Sequence, residues 1–268
     1  MQYIRIATVI CQAMVGKIQY NHSKVEYFSE TDREKGSDIK CFPELNITGY
    51  TNQHAVIEIA QPIPGPVSDE LLKIAAADNM LILAGMAEKG HDGRIYASHL
   101  IATPEGNLGI YRKLHIAPPE KEHYSPGEDI SLHHFHDIRF GIQLCYDTHF
   151  PELSTQMAVN GAEILFMPHA SPRGLAVEKH KSWMRHLTAR AYDNSVFVVA
   201  CNQTGTNGKG LVFPGNAVVI GPTGKVIAKS LSSREHIMFT DLKAADFNHV
   251  RNNPMHFFLP NRRPDIYG

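Results

Sequence analysis

Four short segments carry residue types that can run nucleophilic catalysis: Glu44, Lys113, Glu120 and Cys145. Phe42-Pro43-Glu44-Leu45 sets a carboxylate at the end of an apolar run, with Gly49-Tyr50 just beyond. A charged carboxylate is costly to bury, so Glu44 is expected to hold its proton to higher pH and to act as a general base. In Tyr111-Arg112-Lys113-Leu114-His115 a lysine closes a strand and opens a long loop. A fixed ammonium there could hold an oxyanion. Phe140-Gly141-Ile142-Gln143-Leu144 then leads straight into Cys145-Tyr146-Asp147-Thr148-His149-Phe150-Pro151-Glu152. A strand that delivers a cysteine into a tight turn before a helix exposes the sulfur near backbone N–H groups, as in a nucleophile elbow. The nearby helix N-terminus is expected to favour thiolate.

Each residue read alone has an ordinary alternative. Glu44 could cap a turn, Lys113 could be a solvated strand end, Glu120 a charged loop residue and Cys145 a buried thiol. Only their joint occurrence favours catalysis.

The elements that must position them can be read from periodicity and punctuation. Strands are expected at Ile4–Cys11, Asp38–Phe42, Met80–Ala87, Arg139–Leu144, Ile164–Met167 and Val196–Cys201. Helices are expected at Asn21–Lys35, Val67–Asp78, Pro151–Asn160 and, as one long helix, Leu175–Asp193. Two hairpins flank Pro104-Glu105-Gly106-Asn107 and Gly221-Pro222-Thr223-Gly224, so the sheet is expected to be mixed and the fold class α/β. The irregular stretch Lys113–Leu132 carries Pro118, Pro119 and Pro126, and a loop of that length in a compact domain is usually functional.

The 268 residues have a hydrophobic fraction of 43% and a formal net charge of −1, with both signs interleaved. That pattern gives no electrostatic footprint for nucleic acid or an anionic membrane, and favours a small-molecule partner. The apolar start of the chain ends by Gln12, too short for a signal peptide or membrane span, and the expected compartment is cytoplasm. Cys11, Cys41 and Cys201 sit beside apolar residues and read as buried, without disulfide or zinc spacing. His133-His134-Phe135-His136 lacks acidic or cysteine partners at ligand spacing, so no metal and no cofactor is expected.

Taken together, the segments resemble the nitrilase superfamily of carbon–nitrogen hydrolases, whose signature is a glutamate, a lysine and a cysteine in that order. The matching motifs are Phe42-Pro43-Glu44-Leu45 with Gly49-Tyr50, Tyr111-Arg112-Lys113-Leu114-His115, and Cys145-Tyr146-Asp147 with Phe150-Pro151-Glu152. Glu120, six residues before Pro126-Gly127, occupies the place of the family's second glutamate better than Glu122 does. Ala189-Arg190-Ala191, Asn194, Asn202-Gln203-Thr204-Gly205 and Arg262-Arg263-Pro264 extend the likeness over almost the whole chain.

The resemblance implies a single domain over residues 1–268 folded as a four-layer αββα sandwich. It also implies a homodimer or higher homo-oligomer, with the tail from about residue 245 at a subunit interface. By the same resemblance Glu44 is the base, Cys145 the nucleophile, and Lys113 with the Tyr146 N–H the oxyanion donors. Glu120 would orient Lys113 or the substrate amino group. True nitrilases generally carry Cys-Trp-Glu, whereas this chain has Cys145-Tyr146-Asp147, as in amidase and N-carbamoyl amidohydrolase branches. A small linear amide or N-carbamoyl substrate is therefore expected. The alternatives are a nitrile, or a non-catalytic interaction protein on the same fold. The pocket wall is expected from Tyr50, Tyr146, His149 and the loop His169–Gly174. Branches that bind a substrate carboxylate place arginine where this chain has Thr148 and His149; Arg173, the wall's only cation besides Lys113 apart from the titratable histidines, is expected to turn inward, since Pro172 fixes the local turn and Gly174 lets the chain pass close to the pocket. Its alternative is a solvated loop position.

Overall fold

The computed structural model describes residues 3–32 and 35–267. In chain order come β1 (Tyr3–Ile10), α1 (Ile18–Asp32), β2 (Ile39–Cys41), α2 (Val56–Ile59), α3 (Pro66–Asp78) and β3 (Leu81–Lys89). The hairpin β4 (Ile95–Ala102) and β5 (Leu108–Arg112) opens into the irregular stretch, which holds one 3-10 turn at Pro118–Glu120. Then follow β6 (His133–Phe135), β7 (Ile138–Ile142), a 3-10 turn at Cys145–His149, α4 (Pro151–Val159) and β8 (Ile164–His169). Next are α5 (Ala176–Met184), α6 (Leu187–Asn194), β9 (Phe197–Asn202), β10 (Thr204–Thr206) and β11 (Val212–Pro214). The chain ends with β12 (Ala217–Ile220), β13 (Val226–Ser230), β14 (His236–Lys243), α7 (Ala244–Arg251) and α8 (Pro264–Tyr267).

Two six-stranded sheets result, in the orders β14-β1-β2-β3-β4-β5 and β13-β12-β9-β8-β7-β6. Both are mixed: β1, β2 and β3 are parallel, as are β7, β8 and β9, and antiparallel strands flank each trio. The central strands β3, β8 and β9 are buried on both faces because both faces are covered. β3 shows how: Leu81 and Leu83 enter the core between the sheets, while the alternate residues Ile82, Ala84 and Met86 face a second core. Ile39, Cys41, Phe140, Ile142, Phe166, Val199 and Cys201 share the inter-sheet core, which continues to Leu153, Met157, Trp183 and Leu187 of the helices beyond. The Cys41 and Cys201 sulfurs lie 3.9 Å apart across that seam. Val25, Phe28, Leu71 and Ala75 of α1 and α3 cover the other side of the first sheet. The layers run helix, sheet, sheet, helix: the four-layer αββα sandwich. Truncating a fully buried leucine such as Leu83 to alanine should cost about 2–5 kcal/mol.

Two sequence expectations are corrected here. The helix expected from Asn21 begins at Ile18; Asn21 lies inside it, its side chain bonding Met14 and the Ile47 carbonyl. The expected end at Lys35 runs past residues 33 and 34, which lie outside the described residues. The single helix expected over Leu175–Asp193 is two, α5 and α6, with His186 in a non-helical conformation between them. The apolar stripe Trp183, Leu187, Ala191 runs on at helical spacing through the break, so periodicity does not reveal it. Tertiary contact does: His186 leaves the helix to meet the Thr148 hydroxyl at 3.2 Å.

The sandwich brings four chain segments to one end. Glu44 follows β2, Cys145 follows β7, and Ala170 follows β8. β5 is antiparallel to β4, itself antiparallel to β3, so Lys113 after β5 emerges at the same end. Ligand sites in open α/β sheets form beyond the carboxyl ends of parallel strands.

Candidate active site

Lys113 is the centre of the cluster. Its ammonium donates to Glu44 Oε1 at 2.9 Å and to Glu120 Oε2 at 2.8 Å, with lysine and Glu44 each 1% exposed. The second oxygen of each glutamate is also occupied. Glu44 Oε2 accepts the Ala170 N–H at 2.8 Å, and Glu120 Oε1 accepts the Tyr50 hydroxyl at 3.0 Å. Gln203 donates to the Glu44 carbonyl at 2.8 Å, fixing the strand end from the other sheet. Leu45, beside Glu44, adopts a left-handed φ of 54°. Its turn presses on β3 so closely that a Cβ on Gly85 would lie 2.5 Å from the Leu45 nitrogen.

Cys145 sits half-buried at φ 44°, a conformation that costs a non-glycine residue of order 1–3 kcal/mol. Asp147 holds the turn in place. It is fully buried, and its carboxylate accepts from the Leu144 N–H (2.9 Å), the Tyr111 hydroxyl (2.8 Å), the His115 N–H (2.8 Å) and His115 Nδ1 (2.9 Å). Tyr111 and His115 flank Lys113 in sequence, so one side chain ties the Cys145 turn to the lysine's strand end. The His115 ring stacks on Phe150 at 3.7 Å, closing the same junction.

Charge follows from this packing. Burial raises the Glu44 carboxyl above its usual range, against the pull of the Lys113 ammonium. Burial works against the Lys113 charge, yet the two carboxylates outweigh it and hold the ammonium well above its ordinary value. Burial, and then the Glu44 charge, push the Cys145 thiol up. The expected thiolate is therefore corrected. One ammonium faces two carboxylates, the cluster already carries a net negative charge, and a second anion on sulfur is disfavoured at rest.

The structure thus brings Glu44, Lys113, Glu120, Tyr50 and the Cys145–Tyr146 turn into one buried neighbourhood, while Glu122 stays exposed. Tyr146 is half-buried, its ring 5.7 Å from His149 and 5.5 Å from Phe150. His149 is exposed and packs on His186 at 4.5 Å. His169 does not present its ring to the cluster. Nδ1 lies 2.7 Å from the Met167 carbonyl, and the ring packs on Trp183 at 4.4 Å. Arg173 is exposed at φ 69° and forms no ion pair among the described residues, so the inward turn expected of it is corrected. Its backbone is drawn outward by a bond from its N–H to the Val212 carbonyl. The loop's inner side is held instead by a cation that sequence reasoning missed, Lys179 of α5, whose ammonium bonds Ser171 Oγ at 2.7 Å. Ala170, Gln203 and Asp147 were missed as well. Gln203 and Asp147 stand inside motifs already noted, but a backbone N–H leaves no signal in side-chain types. Among the described residues no three histidine, cysteine or acidic groups converge as a metal site.

Comparison with known proteins agrees with this geometry. The carbon–nitrogen hydrolase family model matches residues 5–252. An (R)-stereoselective amidase of a Pseudomonas species is 31% identical over 81% of this chain and 79% of its own. A probable nitrilase of Schizosaccharomyces pombe is 31% identical over 97% of each chain. Among solved structures, a variant of the amidase from Nesterenkonia sp. AN1 superposes with a TM-score of 0.84 at 23% identity, covering 98% of this chain and 95% of that one. In that protein the acetamide moiety of fluoroacetamide is added covalently at the active-site cysteine.

Proposed function

Because the chain belongs to the carbon–nitrogen hydrolase family, we propose that it is a thiol hydrolase of small linear amides or N-carbamoyl compounds, working through Glu44, Lys113, Glu120 and Cys145. The observation that carries this reading is the buried Glu44–Lys113–Glu120 chain of hydrogen bonds beside a cysteine in a left-handed turn.

In this reading Glu44 takes the Cys145 proton as the sulfur attacks the carbonyl carbon. The transfer moves negative charge within the cluster without adding any, which suits a buried site. The Lys113 ammonium and the Tyr146 N–H receive the oxyanion; that N–H precedes the first bond of its 3-10 turn, from the Asp147 N–H to the Leu144 carbonyl. Glu44 then gives its proton to the departing ammonia or amine. It next takes one from the water that attacks the thioester, and the restored proton leaves with the Cys145 sulfur. Glu120 keeps Lys113 ionised and aimed. The covalent adduct at the cysteine of the Nesterenkonia amidase supports the same nucleophile here.

We also read the chain as one domain with its tail at a subunit interface. Support comes from the exposure of Met255 (78%) and Ile266 (68%) in that tail. Among the described residues no helix is long and apolar enough to cross a membrane. Ammonia release from a panel of amides, N-carbamoyl compounds and nitriles, with and without thiol alkylation, tests the function. Faster turnover of nitriles than of every amide would replace this reading with a nitrilase, and no release from any would leave an interaction protein.

A further inference from the structure

Lys179 stands one helical turn before Trp183 on α5, and Trp183 packs on His169 at the end of β8. That face of the helix therefore looks at the end of the sandwich where the catalytic segments gather. The ammonium is pinned there by Ser171 Oγ at 2.7 Å and the Pro172 carbonyl at 3.2 Å. The loop it grips is itself fixed: Asn202 accepts the Ser171 N–H at 2.8 Å and donates to the Ser171 carbonyl at 3.0 Å. Ser171 directly follows Ala170, whose N–H touches Glu44.

Both acceptors of Lys179 are neutral. The ammonium is half-buried and has no carboxylate within ion-pair distance among the described residues. Burial lowers its pKa, and the neighbouring Cys145 sulfur pulls the other way. Other nearby cations are committed. Arg190 bonds the Thr148 and His149 carbonyls at 3.1 and 3.2 Å, and Lys113 is outnumbered by its two glutamates. Burial lowers the pKa of His149, His169 and His186, that of His186 to about 4. A net negative catalytic cluster would repel an anionic substrate unless some cation offset it. A partly desolvated ammonium without a counter-charge is the group an anion would seek.

We infer that Lys179 binds a carboxylate at the end of the substrate remote from the scissile C–N bond, so that the physiological amide or N-carbamoyl compound is an anion. This rests on the thiol-hydrolase reading above for the chemistry, and on the Lys179 geometry for the charge. The test compares succinamate and glutaramate with butyramide and valeramide, in which a methyl group replaces the carboxylate. Wild type should favour the anionic pair. Lys179→Met should raise KM for that pair about 10- to 100-fold more than for the neutral pair, the range for losing a charged hydrogen bond. Lys179→Arg should keep the preference. Equal losses on both pairs, or an unchanged preference in Lys179→Met, would overturn the inference. If wild type hydrolyses only the neutral pair, the inference falls and the hydrolase stands. If it hydrolyses neither, protection of Cys145 from iodoacetamide by succinate or glutarate decides. Protection in wild type but not in Lys179→Met upholds the cation site although the hydrolase reading fails, and no protection, or equal protection, ends both.

Discussion

Replacing Asp147 with asparagine changes one oxygen to an NH2 group and leaves the side chain's shape nearly intact. Its effect can be worked out from the donors around it. Oδ1 receives the His115 N–H and faces His115 Nδ1, while Oδ2 receives the Tyr111 hydroxyl and the Leu144 N–H. Whichever way the new amide flips, its NH2 confronts two groups that had been bonded to oxygen. Both backbone N–H groups are fixed as donors, and one of them is always left unmet. The second group, the Tyr111 hydroxyl or His115 Nδ1, can turn to accept from the NH2, so the cost is that of one buried donor without an acceptor, about 1–3 kcal/mol. Equilibrium urea unfolding reads it directly. The same change should loosen the Cys145 turn from the Lys113 strand end, so kcat/KM should fall at least about tenfold and the alkylation rate of Cys145 should change with it. Asp147→Asn within about 1 kcal/mol of wild type, or with unaltered kcat/KM, would refute the idea that this carboxylate couples nucleophile and lysine.

Other outcomes follow from the same geometry. Cys145→Ala should abolish turnover with an unchanged unfolding curve, and iodoacetamide should label Cys145 ahead of the buried Cys11, Cys41 and Cys201, as peptide mapping would show. Lys113→Met should lower kcat by about 10²-fold or more, and a smaller loss would remove Lys113 as an oxyanion donor. The raised Glu44 carboxyl predicts that the acid limb of kcat/KM lies above the usual carboxylate range. A folded state that holds this proton more tightly than the unfolded chain loses the stability of the protonated form as pH rises through the raised value. Wild-type stability should therefore fall relative to Glu44→Gln across that window. Parallel stability–pH curves for the two proteins would contradict the shift.

Much of the site could be read from the sequence because its chemistry sits where regular elements stop. Pro43 after an apolar run, the end of a hairpin strand at Lys113, and the Gly141–Cys145 run with Pro151 beyond all mark boundaries in local sequence. The preference for Glu120 over Glu122 was legible only through family likeness, since both are loop acids until packing buries one of them. The fold class was legible from the two hairpins and from apolar runs such as β3, β8 and β9, which are buried on both faces. What stayed hidden depends on distant partners. The helix break at His186 exists for Thr148, the β14 strand is half-exposed and takes its register from β1, and the Lys179 ammonium matters through a loop eight residues earlier. The thiol state was misjudged for a related reason. A helix N-terminus is a local feature, whereas the opposing carboxylates arrive from elsewhere in the chain and outweigh it.

Glu44 and Lys113 belong to the first sheet, and Cys145 and the Ala170 N–H to the second. During synthesis Glu44 and Lys113 leave the ribosome before Cys145. No portion of the nascent chain short of both sheets holds a complete site. Until the seam closes, Cys145 does not have the Glu44 carboxylate beside it. The four groups meet only when the two sheets dock.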